Sequence, residues 1–60
     1  MTPIKGRVYR VNRGMYCELL NAMWCGDMIA GRYMMRLRSG YGLAVDACDI
    51  IACVPNDDQD

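Results

Sequence analysis

The chain is sixty residues long, 53% hydrophobic and formally neutral, with seven basic side chains, seven acidic ones and no histidine. A chain of this size forms one domain at most and buries only about 60% of its unfolded surface, so its stability margin is thin. The lack of histidine removes the commonest general base and metal ligand, and no Gly-rich phosphate loop or paired-carboxylate spacing replaces it, which argues against an enzyme.

At the N-terminus, Met1-Thr2-Pro3-Ile4-Lys5-Gly6-Arg7 has no apolar h-region, and no apolar run reaches the length of a membrane span. A cytoplasmic protein without membrane segments is expected. Residues 4–11 are β-rich at Val8, Tyr9 and Val11 and read as a first strand, ended by the turn-forming Asn12-Arg13-Gly14. Val8 and Val11 differ in parity, which predicts a bulge or a two-sided environment.

Met15 to Cys25 fits two descriptions. Met15, Leu19, Ala22 and Met23 before Gly26 suit a short amphipathic helix, whereas Met15 to Leu20 suits a strand pairing back on the first, with Asn21 to Asp27 as a loop carrying Trp24. The strand is preferred. Trp24, Met23 and Met28 then form an apolar patch around Gly26-Asp27, either an anchor for a partner or a cap on the open end of a barrel.

The strongest signal lies between Met28 and Val45. A three-residue loop Arg38-Ser39-Gly40, with Gly40 left-handed, sets Leu37 opposite Tyr41, Met35 opposite Leu43 and Tyr33 opposite Val45 on an apolar face. Arg36 with Gly42, Met34 with Ala44 and Arg32 with Asp46 then share a largely polar face. Asp46 to Asp49 reads as a 3₁₀ turn leading into a last strand, Ile50 to Val54, stopped by Pro55. The domain is expected to span 1–54, and 55–60 to be an acidic flexible tail.

Cys17, Cys25, Cys48 and Cys53 are separated by seven, twenty-two and four residues, unlike the tight knuckles of structural zinc sites. They are expected to be small buried hydrophobes, with no metal and no cofactor. Charge is polarised along the chain. Residues 1–38 carry all seven basic groups and two acids, and residues 39–60 carry five aspartates, so the two parts hold +5 and −5.

The order of short strands, the hairpin ending in Ser39-Gly40-Tyr41-Gly42-Leu43-Ala44-Val45 and the Asp49-Ile50 step into a final strand resemble the SH3-like small barrels, including KOW-type modules. The fold class this implies is mainly β, a five-stranded SH3-like barrel with one short helix or 3₁₀ turn. The plasmid-type dihydrofolate reductases share that barrel and work as tetramers. Their hydrophobic-Gln-Ile-Tyr catalytic run has no counterpart here, since Ile50-Ile51-Ala52-Cys53 stands in the comparable place, and the activity is not carried over.

Two functions follow as expectations. The first is a non-catalytic protein-binding adaptor or inhibitor, of the sort carried by phages or mobile elements, homo-oligomeric and docking through Trp24, Tyr16, Tyr41, Arg32, Arg36 and Arg38. The alternative is a KOW-like nucleic-acid module using Arg7, Arg10, Arg13, Arg32, Arg36 and Arg38, with arginine on phosphate and tyrosine on bases. Against it, Arg32, Arg36 and Arg38 share a parity because that is the solvated side of a half-buried strand, and the net charge is zero.

Overall fold

A computed structural model describes residues 2–13 and 18–55. They form β1 (Val8–Arg13), β2 (Glu18–Ile29), β3 (Arg32–Leu37), β4 (Gly42–Val45), a 3₁₀ turn (Ala47–Asp49) and β5 (Ile50–Cys53). All pairings are antiparallel in one sheet of order β4-β3-β2-β1-β5. The chain therefore meanders through four strands and returns its fifth to the first, and β1 lies against β4 across the interior. The sheet is mainly β as expected, and none of its elements is a helix long and apolar enough to cross a membrane.

Alternation in β3 and β4 decides the core. Tyr33 pairs with Val45, Met34 with Ala44, Met35 with Leu43 and Arg36 with Gly42, the register expected from the three-residue loop. The loop is closed by Leu37 N–H donating to Tyr41 O at 2.8 Å and Gly40 N–H to Leu37 O at 2.9 Å, with Gly40 at φ +97. Met35 is 1% exposed, whereas Arg36 beside it is exposed. Tyr9, Val11, Ala22, Val45 and Ile50 complete the buried core, and Leu20, Trp24, Tyr33, Leu37 and Leu43 pack against it.

The stretch read as a strand followed by a loop is instead one long strand. Trp24 pairs with Met35 but Asp27 with Met34, so Cys25 and Gly26 are extra residues in a bulge, Gly26 standing at φ +97. A bulge bends its strand and raises the local twist, which lets β2 pair β1 through its first half and β3 through its second. After Ile29, Ala30 (φ +51) and Gly31 (φ +77) turn the chain into β3 with both residues left-handed, the geometry that suits the twist of a two-residue hairpin.

The first strand begins later than expected. Residues 4–7 form a turn, with Arg7 N–H donating to Ile4 O, and Gly6 N–H reaches Trp24 O at 2.8 Å beside the bulge. Asn12 and Arg13, expected in the turn, belong to β1, and Gly14 lies outside the described residues. The parity change at Val8 and Val11 is a two-sided environment. Val11 is fully buried and Val8 half-buried on the other side, while the register shift lies in the pairing with β5, where Ile51 is extra.

The 3₁₀ turn and last strand stand where expected, with Asp49 N–H donating to Asp46 O at 2.9 Å. Two cysteines are not buried. Cys48 in the 3₁₀ turn and Cys53 in the edge strand β5 are exposed free thiols, and Cys25 in the β2 bulge is half-buried. Cys17 and the tail beyond Pro55 lie outside the described residues.

Candidate functional site

Side chains paired across a sheet point to the same face, so the registers place every candidate. Val8, Met23, Arg36 and Gly42 make one row from β1 to β4, and Arg10 and Asn21 begin the next, all on the face opposite the core. Arg10 Nη1 donates to Asn21 Oδ1 at 3.1 Å. A groove of about 600 Å³ opens beside that row, lined by Val8, Asn21, Met23 and Arg36 of this face, by Ala22 and Leu37 of the core-facing row, and by Arg38 and Val54. Its apolar lining comes from three strands and the residue after β5, and Val54 is fixed there by its N–H donating to Val8 O at 2.9 Å.

Arg36 and Arg38 flank that apolar lining, and no carboxylate is among the eight lining residues. The other expected arginines are placed differently. Arg32 shares the outer parity of β3, but its Nε lies 3.2 Å from Asp46 Oδ1, and Arg13 Nη1 lies 3.7 Å from Glu18 Oε1. Arg7 is exposed in the turn before β1.

The aromatics separate from the arginines. Trp24 follows Met23 in β2 and so faces the interior, where its ring meets Tyr33 edge-on at 5.3 Å and 82° and its Nε1 donates to Asp27 O at 2.9 Å. Met23 and Trp24 thus do not form one patch. Tyr41 is 58% exposed beside the hairpin loop, and Tyr16 lies outside the described residues. Val8 and Val54 were not singled out in the sequence, and Met23 was, as part of a patch with Trp24 and Met28. The parity of Val8 against Val11 was the signal that could have placed one of them outside.

No protein-family model, curated protein or solved structure matches the chain. The site is therefore weighed on its own chemistry. Among the described residues, Asp46, Cys48 and Asp49 bring ligand atoms within 4.8 Å of one another, but Arg32 already holds Asp46, so a cation there would meet a guanidinium. Cys25 shares a cleft of about 30 Å³ with Asp27 and Arg36, which is room for a water and no substrate. The groove is large enough for side chains of another molecule.

Proposed function

We propose that this chain is a small protein-binding module, an adaptor or inhibitor without catalytic chemistry of its own, that engages its partner through the groove between β1, β2 and β3. The observation that carries this reading is the apolar lining of Val8, Met23, Leu37 and Val54 flanked by Arg36 and Arg38. Protein interfaces combine an apolar centre with a polar rim in which arginine is enriched. The strand order β4-β3-β2-β1-β5, with a 3₁₀ turn before β5, supports the likeness to SH3-like barrels. Leu19, Ile29 and Ile51 are each half exposed or more and leave separate apolar side chains available for self-association, and the free thiols suit the cytoplasm.

The KOW-like reading draws on the same arginines. Among the described residues only Tyr41 offers it an exposed tyrosine for base stacking, because Tyr9 is 3% exposed and Tyr33 is packed on Trp24.

Affinity capture from the native host tests the proposal, comparing the native chain with an Arg36→Ala, Arg38→Ala variant of unchanged melting temperature. A protein retained by the first and lost by the second supports it. Retention of the same proteins by both, or of nucleic acid alone, contradicts it.

A further inference from the structure

We infer that copies of this chain associate head to tail, the free edge of β5 in one copy adding antiparallel to the free edge of β4 in the next. This rests on the self-association reading above and gives it a surface. Among the described residues, β5 pairs only with β1 and β4 only with β3, so the sheet ends in two edges whose outward main-chain groups have no strand beside them. Each edge strand is four residues long. Lysine, proline and inward-pointing charge are what keep an edge strand from pairing with another chain, and neither Gly42–Val45 nor Ile50–Cys53 contains any of them.

Hydrogen-bond direction fixes the register. Leu37 N–H donates to Tyr41 O, so alternation along the β3–β4 pair turns the main-chain groups of Leu43 toward β3 and those of Gly42 and Ala44 outward. Val54 N–H donates to Val8 O, and the same alternation turns those of Cys53 outward from β5. Setting Cys53 opposite Gly42 of the next copy brings outward groups together and places Ile51, 52% exposed, opposite Ala44.

Charge and burial favour this pairing over the symmetric ones. Antiparallel order directs the sequence beyond Pro55, with Asp57, Asp58 and Asp60, toward the Arg38-Ser39-Gly40 loop of the next copy. A β5 strand laid antiparallel on another β5 would direct those aspartates at Asp46 and Asp49 instead. A β4 strand laid on another β4 would leave Ile51 in water. Because the two edges differ, the contact is heterologous, and each copy keeps an edge for a further copy.

The test is sedimentation equilibrium of the native chain under reducing conditions, beside Ala44→Pro and Cys53→Pro. Each proline removes an N–H that points away from the sheet, the position at which edge strands tolerate proline. The native mass is expected to rise with concentration past that of a dimer. Either variant alone should stay monomeric, and an equal mixture should stop at a dimer, since one intact β5 edge then meets one intact β4 edge. Amide exchange at Ala44 and Cys53 of the native chain should slow as concentration rises, which decides the matter without a variant if either fails to fold. A dimer formed by Cys53→Pro alone would mark a β4–β4 contact, and one formed by Ala44→Pro alone a β5–β5 contact. Either overturns the inference and leaves self-association standing. A native chain that is monomeric at about 1 mM, with exchange at both amides independent of concentration, overturns both.

Discussion

Arg32 Nε and Asp46 Oδ1 stand 3.2 Å apart at the open end of the β3–β4 pair, joining the basic first part of the chain to the acidic remainder. Both side chains are more than half exposed, so water and salt screen them. A double-mutant cycle with Arg32→Ala and Asp46→Ala is expected to give a coupling of under about 1 kcal/mol, falling as salt is added. Urea unfolding at two ionic strengths measures it.

Trp24 belongs to the stability of the fold. Its ring is packed edge-on against Tyr33, and its indole N–H donates across the bulge to Asp27 O. Trp24→Ala is expected to cost about 3 kcal/mol, near the total available to so small a core, and to abolish the cooperative thermal transition seen by circular dichroism. Trp24→Phe keeps the ring contact and should retain a transition at lower temperature.

Ala30 holds φ +51 in the turn between β2 and β3, a conformation that costs an L-residue with a Cβ about 1 kcal/mol or more. Asparagine tolerates it, and Asn-Gly is the preferred pair for this turn. Ala30→Asn should therefore stabilise the chain by about 0.5–1 kcal/mol and raise the melting temperature by several degrees in a calorimetric scan.

How much of this was legible follows from where the physics is local. The β3–β4 hairpin is written in its own residues, since an apolar alternation broken only at Met34 and Ala44 and one glycine at the loop fix the register, and Tyr33, Met35 and Val45 then point inward together. Asp46 to Asp49 before Ile50 is equally local. β2 was not, because Gly26 reads as an end to an element although a glycine can also serve a bulge, and only pairing with β1 and β3 on either side shows that the strand continues. The same bulge keeps Trp24 inside. For the groove, the outward parity of Arg36 was readable, but its apolar lining was not, since Val8, Met23 and Val54 meet only once β1 has neighbours on both edges.

The account rests on adjacent residues of β3 doing opposite work, Met35 holding the interior and Arg36 facing outward beside the groove. Urea unfolding of Met35→Ala beside Arg36→Ala tests this most directly. Met35→Ala should lose about 2–4 kcal/mol and leave most of the chain unfolded in water, while Arg36→Ala stays within about 0.5 kcal/mol of the native chain. A severe loss from Arg36→Ala with Met35→Ala tolerated would place the arginine inside and contradict the assignment of the face.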